Sequence, residues 1–170
     1  GGVLPSRRND FESLKTPTLD SLAGQLKSSG KREISTTMSF VRTLTTLVKN
    51  KDIGERVVPI VPDEARTFGM EGMFRQLGIY TAEGQKYVPH DADQVMYYRE
   101  DQAGQILEEG INEAGAMAAW LACATSYSNN NYPMVPFYIF YSMFGFQRVG
   151  DIAWAAGDSQ ARGFPIGATA

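Results

Sequence analysis

The sequence is poor in the side chains that most often bind metals or act as nucleophiles. Its 170 residues include one cysteine and one histidine. A lone cysteine cannot form an internal disulfide, which fits a reducing compartment. Cys123 follows an apolar run and is predicted to be a buried, inert thiol. His90 lies in a polar stretch, and together these two residues cannot supply a zinc site of the usual kind.

Long apolar runs and concentrated positive charge are also missing. No apolar run reaches the ~18 residues that a membrane helix needs, and no signal peptide opens the chain. We therefore expect a soluble, cytoplasmic protein that does not contact membranes. The net charge of -3 argues against a nucleic-acid binder, which usually presents a basic face. Because the chain starts without methionine and ends in apolar sequence, we expect it to be a piece of a longer protein.

What is present is a pattern of alternating strands and helices. Residues 1–18 are polar and interrupted by prolines, and we interpret them as a linker; residues 19–170 would form a domain. Buried strands are predicted at 57–61, at 134–140 and from residue 164. Helices are predicted at 19–27, 35–49, 70–77, 113–127 and 147–161. This order predicts an α/β fold, with a parallel sheet covered by helices on both faces.

Three polar or aromatic segments are predicted to meet at one edge of that sheet. They are residues 62–66, 108–115 and 138–146, and ligands of open α/β sheets bind beyond the carboxyl ends of the strands. Acids beside an aromatic wall suit a flat, nitrogen-containing ring. However, carboxylates at strand ends commonly cap helices or pair with arginines, and Arg66 is close enough in sequence to pair with Asp63 or Glu64. Spacing alone leaves both interpretations open.

Longer motifs favour the cofactor interpretation. The stretches DEARTFGMEG (63–72), GQILEEGINE (104–113) and YIFYSMFGFQR (138–148) resemble the pyrimidine-binding domain of homodimeric, bacterial-type pyruvate dehydrogenase. The similarity extends over nearly the whole chain. It implies an incomplete thiamine-diphosphate-binding domain of an enzyme that decarboxylates pyruvate and transfers the acetyl unit to lipoyl groups of dihydrolipoyl acetyltransferase. We expect this piece to be inactive alone.

The same resemblance implies roles for individual residues. Glu113 matches the activating glutamate of thiamine enzymes, which hydrogen-bonds a ring nitrogen of the aminopyrimidine. Tyr141 and Phe144 match aromatic residues that flank this ring, while Asp63 and Glu64 match acids near it. To donate that bond Glu113 has to be protonated, which burial favours and a helix N-terminus opposes.

Glu109 is the rival candidate for the activating acid, because it lies in the same loop. We prefer Glu113 because a glycine, Gly115, follows it after one residue. Glu113 is therefore the predicted activating acid, and Glu109 is the alternative.

The metal half of such a site has no counterpart in the chain. Thiamine enzymes hold the diphosphate through Mg²⁺ with a Gly-Asp-Gly motif, and both Gly150-Asp151-Ile152 and Gly157-Asp158-Ser159 lack the second glycine. The resemblance places the Mg²⁺ ligands in a preceding domain and the complete site between two subunits of a homodimer. The alternatives are a transketolase-like or other 2-oxo acid enzyme, and a dimerisation or scaffold fragment built on the alanine-rich helix from Glu113.

Overall fold

A parallel sheet with helices on both faces organises residues 10–168, the part of the chain that the computed structural model describes. The strands are β1 (Val57–Val61), β2 (Ile79–Tyr80), β3 (Glu100–Asp101), β4 (Leu107–Glu108), β5 (Val135–Tyr141) and β6 (Phe164–Ala168). Four of them form the sheet in the order β4-β1-β5-β6, and every neighbouring pair is parallel. Strands β2 and β3 form a separate two-stranded parallel ladder. The predicted α/β architecture is confirmed.

The helices lie where the apolar periodicity predicts them, with ends that shift by a few residues. They are α1 (Ala23–Leu26), α2 (Thr36–Val48), α3 (Phe74–Leu77), α4 (Glu113–Asn129) and α5 (Phe146–Asp158). The predicted segments 19–27 and 70–77 begin as 3-10 turns and become α-helical only in their last residues. Within the predicted linker, residues 10–18 contain no helix or strand before Leu19 begins the first 3-10 turn, and residues 1–9 lie outside the described part.

Strand β1 is central in the sheet although it contains a proline. All five of its residues are buried. On one side it pairs with β5, where Pro59 lies opposite Phe137. On the other side β4 pairs only with Ile60 and Val61, so Pro59 lies before that ladder begins. The missing N–H of proline is therefore tolerated at a position where one neighbouring strand is absent.

The two faces of the sheet bury separate apolar clusters. On one face, α2 contributes Val41, Leu44 and Val48. On the other face, α4 and α5 cover the sheet, and Trp120 is the largest buried side chain of α4. Alternation along β5 explains the division, because Tyr138 and Phe140 point to the α4 side while Phe137 and Ile139 point to the α2 side. Helices pack against both faces of the sheet, and the loops at the strand ends therefore start from a rigid sheet.

Gly104 lies against the backbone of β2 and has no room for a side chain. A Cβ on Gly104 would come 2.6 Å from the carbonyl oxygen of Ile79 and 2.5 Å from the amide nitrogen of Tyr80. These are backbone atoms of β2, so neither can move aside without breaking the ladder. Gly157, near the end of α5, has nothing within 4 Å of the same position.

We therefore expect Gly104→Ala to lower the free energy of unfolding by roughly 1–3 kcal/mol, as in other overpacked sites. The control Gly157→Ala should raise it by about 0.5–1 kcal/mol, because alanine is the better helix former. Denaturant titration followed by tryptophan fluorescence measures both changes. Equal effects of the two substitutions would contradict the close backbone contact at Gly104.

Candidate functional site

The loop before α4 is tied to the carboxyl end of β1 by two backbone hydrogen bonds. The Glu109 N–H donates to the Val61 carbonyl oxygen at 3.1 Å, and the Asn112 N–H donates to the Pro62 carbonyl oxygen at 2.9 Å. Asp63 follows Pro62 directly, so it lies beside the N-terminus of α4. The first two of the three predicted segments are therefore brought together.

The first turn of α4 is shaped by an asparagine cap and a glycine. The Asn112 side chain accepts a hydrogen bond from the Gly115 N–H at 3.0 Å, and the helix begins at Glu113. A Cβ on Gly115 would lie 2.8 Å from a carboxylate oxygen of Glu109. Gly115 thus leaves room for the Glu109 side chain against the helix. The two candidate acids, Glu109 and Glu113, both lie at this helix end.

Glu113 lies in a cluster that also holds the predicted aromatic residues. Its side chain is 12% exposed, and its Oε1 accepts a hydrogen bond from Arg148 at 2.6 Å. The Arg148 guanidinium stands 4.2 Å from the centroid of the Phe144 ring. The Phe144 ring meets Tyr141 edge to face at 6.1 Å. Tyr141 also packs against Phe68 at 5.2 Å, which links this cluster to the segment after β1.

Tyr138 lies beneath the same cluster and was not among the predicted site residues. Its side chain is 1% exposed, and its hydroxyl has no hydrogen-bond partner within the described residues. Burial raises the pKa of Tyr138 to about 12; the charge of Glu113 adds to the shift and Arg148 opposes it. Tyr138 therefore places a neutral aromatic ring next to the Glu113–Arg148 pair.

Asp63 and Glu64 line a cavity of about 830 Å³ beside the Glu113 cluster. Its wall includes further acids and several aromatic rings, and Glu113, Tyr141 and Phe144 are not part of it. The carboxylates that line it are Asp63, Glu64, Asp91, Glu100, Glu108 and Glu109. The structure thus divides the predicted residues into two adjacent groups, which the bond from Asn112 to Pro62 holds side by side.

Arg66 does not pair with Asp63 or Glu64, contrary to the alternative that the sequence left open. Its Nη2 binds Asp91 at 2.5 Å. Asp91 also accepts the Tyr98 N–H at 3.0 Å, so two hydrogen bonds hold this carboxylate. Within residues 10–168, neither Asp63 nor Glu64 forms a salt bridge with another side chain, and both stay directed at the cavity.

Glu64 does not cap the turn that follows it either; that function belongs to Glu108. The 3-10 turn Ala65–Phe68 receives no side-chain hydrogen bond from Glu64. Instead, Oε1 of Glu108 accepts the Ala65 N–H at 2.6 Å. Burial raises the pKa of Glu108 to about 7; the bond from Ala65 opposes the shift, and Glu64 and Asp63 add to it. The sequence included Glu108 in the predicted segment 108–115 but gave it no role, because β4, the strand that positions it, has only two residues.

His90 and Cys123, the two scarce side chains, lie in different surroundings. His90 is exposed at the wall of the large cavity. Cys123 is half-buried rather than fully buried as predicted, and burial raises the pKa of its thiol. Among the residues that the structure describes, no group of three or more His, Cys, Asp or Glu could hold a metal ion. No helix in the same part of the chain is long and apolar enough to cross a membrane.

The raised pKa of Glu108 predicts a pH-dependent stability. The folded state keeps the proton up to about pH 7, whereas the unfolded carboxyl loses it near 4.5. Stability is therefore lost as the pH rises from 4.5 to 7 and stays level above. Glu108→Gln does not titrate, so its unfolding free energy relative to the parent should rise by roughly 1–2 kcal/mol between pH 5 and pH 8, after discounting for partial exposure.

Denaturant titrations at the two pH values measure this difference. Glu55→Gln removes an exposed carboxyl outside the cavity and controls for the loss of one negative charge. A Glu108→Gln difference that is the same at both pH values would show that Glu108 is ionised throughout.

Comparison with known proteins identifies the family. Residues 14–170 match the family model described as the pyruvate dehydrogenase E1 component middle domain. The whole chain is 68% identical to the pyruvate dehydrogenase E1 component of Pseudomonas aeruginosa. Over 99% of the chain, the identity to the pyruvate dehydrogenase E1 component of Escherichia coli K12 is 63%. The chain spans 19% of the length of each of these relatives. It belongs to the pyruvate dehydrogenase E1 component middle domain family.

Proposed function

We propose that this chain forms the aminopyrimidine side of a thiamine diphosphate site in an enzyme that decarboxylates pyruvate and transfers the acetyl unit to lipoyl groups. One observation carries the proposal: a largely buried glutamate, Glu113, is connected through Arg148 to two partly exposed aromatic rings, Phe144 and Tyr141. Relatives named pyruvate dehydrogenase E1 component support pyruvate as the substrate over other 2-oxo acids.

The donor set fits a pyrimidine ring. Within residues 10–168, Arg148 is the only side chain that hydrogen-bonds to Glu113, and it uses Oε1. The second oxygen, Oε2, is therefore left for a ligand. Tyr141 and Phe144 offer ring faces and edges for stacking against a flat heterocycle. When bound, thiamine diphosphate supplies the nucleophilic carbon and the electron sink that decarboxylation requires.

Arg148 occupies one oxygen of Glu113. Its guanidinium has only donors, so Oε1 is the acceptor of that bond. A ring nitrogen of the ligand would therefore contact Oε2. Arg148 also stands over Phe144, so one side chain orients both the acid and a wall of the proposed site. We propose Glu113 as the catalytic acid, with Arg148 as a positioning residue.

Asp63 and Glu64 form the neighbouring acidic wall. Neither is neutralised by an arginine in the described part of the chain, and Asp63 lies next to the loop that starts α4. We propose that they contact the amino side of the pyrimidine. The described residues do not fit Mg²⁺, so we propose that the metal and the diphosphate are held outside this segment, with residues 1–18 as a linker to it and residues 19–170 as a partial pyrimidine-binding domain.

Replacing Glu113 in the intact parent enzyme tests this assignment. Glu113→Gln keeps the shape and the bond from Arg148 but cannot exchange a proton, so pyruvate decarboxylation should fall by at least ~10²-fold. Glu109→Gln is the matched control and should remain within a few-fold of the parent. A large loss in Glu109→Gln with near-normal Glu113→Gln would transfer the role to Glu109, and a parent that does not decarboxylate pyruvate would point to another 2-oxo acid enzyme.

We further propose that the intact enzyme is a cytoplasmic homodimer that delivers its product to dihydrolipoyl acetyltransferase. The outer layer of α4 and α5 supports a contact with a second copy. Trp154 on α5 is 79% exposed, and Ala114, Ala118 and Ala122 form an exposed row of small side chains on α4. This surface also suits the alternative that the fragment is only a dimerisation or scaffold module.

Trp154→Glu in the intact protein should weaken the dimer, because it places a charge in an apolar contact. Sedimentation velocity over a range of protein concentrations would show the shift toward monomer. Val88→Glu, at a residue that is 82% exposed outside the helical layer, is the control and should leave the dimer intact. A Trp154→Glu protein that stays dimeric would exclude this face, and a dimer without decarboxylation would favour the scaffold alternative.

A further inference from the structure

The segment that carries Asp63 and Glu64 is held at both of its ends by groups from outside it. At its start, the Pro62 carbonyl oxygen accepts the Asn112 N–H at 2.9 Å. At its end, the Ala65 N–H donates to the Glu108 carboxyl at 2.6 Å. Only two residues lie between the two fixed points. Their backbone has little freedom as long as both bonds persist.

Glu108 reaches Ala65 because of the register of the sheet. In the parallel ladder of β1 and β4, Glu108 lies opposite Val61, the last residue of β1. From there its side chain extends past the bend at Pro62 to the first N–H of the turn Ala65–Phe68. Ala65 itself is fully buried, so its N–H has no access to solvent as a replacement partner.

The first N–H of this turn is bound by a residue from outside it. Ala65 begins the turn, and Oε1 of Glu108 accepts its N–H. Glu64, the residue before the turn, makes no side-chain cap bond, and it lines the cavity. Glu108 therefore holds the backbone directly after Glu64.

We propose that Glu108 is a positioning residue, which clamps the turn at Ala65 and thereby presents Asp63 and Glu64 to the ligand. The inference rests on the proposed function, because Asp63 and Glu64 are the acids assigned to the pyrimidine. The required property is a hydrogen-bond acceptor at Oε1. A negative charge is not required, since it would be repelled by the two carboxylates that Glu108 positions.

Two substitutions separate the acceptor from the charge. Glu108→Gln keeps an acceptor oxygen, while Glu108→Ala removes it and leaves the Ala65 N–H buried without a partner. Hydrogen exchange is measured on the intact protein without cofactor, in a peptide that covers residues 62–68. The exchange rate shows directly whether the Ala65 N–H is protected by its hydrogen bond. We expect exchange in Glu108→Ala to be at least ~10-fold faster, with Glu108→Gln within ~2-fold of the parent. A peptide covering Thr36–Val48 checks that the fold is retained.

The half-saturating concentration of thiamine diphosphate is the second readout. It should rise about 5- to 10-fold in Glu108→Ala and stay within ~2-fold in Glu108→Gln. Glu55→Ala, outside the cavity, is the control for the loss of a surface acid. If Glu108→Gln behaves like Glu108→Ala in either readout, the acceptor is not the essential property and the proposal is wrong.

The two readouts also separate this inference from the proposed function. Faster exchange in Glu108→Ala with unchanged cofactor half-saturation would overturn the positioning of ligand-binding acids. An intact parent that does not bind thiamine diphosphate would instead overturn the proposed function, while hydrogen exchange would still decide whether Glu108 clamps the turn.

Discussion

The arrangement of the candidate site depends on how the end of β1 is held. Three hydrogen bonds converge there, from Glu109 to Val61, from Asn112 to Pro62 and from Ala65 to Glu108. They join the loop after β1 to the loop before α4, and thus join the two acid-bearing segments. The parallel ladder between β1 and β4 makes these bonds possible, because it places the carboxyl ends of both strands at one edge.

From this edge, two groups of side chains face different surroundings. Glu113 is largely buried and paired with Arg148, whereas Asp63 and Glu64 face an open acidic cavity and have no cationic partner in the described residues. Like charges around a cavity repel each other, and burial increases the free energy of this repulsion. The cost is visible at Glu108, whose pKa is raised to about 7 by burial and by the neighbouring acids. Such costs are typical of sites built for a ligand.

The sequence predicted the parts of the fold that have strong periodicity. The apolar periodicity of α2 and the apolar run of β1 were sufficient to predict these elements, because each is set by local preference and burial. The two-residue strands β2, β3 and β4 were missed, since they exist only through pairing with distant residues. Residue roles such as that of Glu113 came from motif resemblance, as a single glutamate at a helix start has no distinguishing pattern.

The sequence could not predict which charged side chains pair with each other. Arg66 is two residues from Glu64 in sequence, yet it binds Asp91, whose carboxylate also accepts the Tyr98 N–H. Arg148 lies 35 residues from Glu113 and still pairs with it, because α5 packs beside α4. Partnerships of this kind depend on tertiary packing.

The most direct test of the account is a crystal structure of the intact enzyme with thiamine diphosphate and Mg²⁺ bound. The account predicts a Glu113 oxygen within hydrogen-bond distance, about 2.6–3.2 Å, of an aminopyrimidine ring nitrogen. It also predicts Tyr141 and Phe144 against the ring. A pyrimidine ring that is bound by Glu109 in the large cavity, with Glu113 still held only by Arg148, would contradict it.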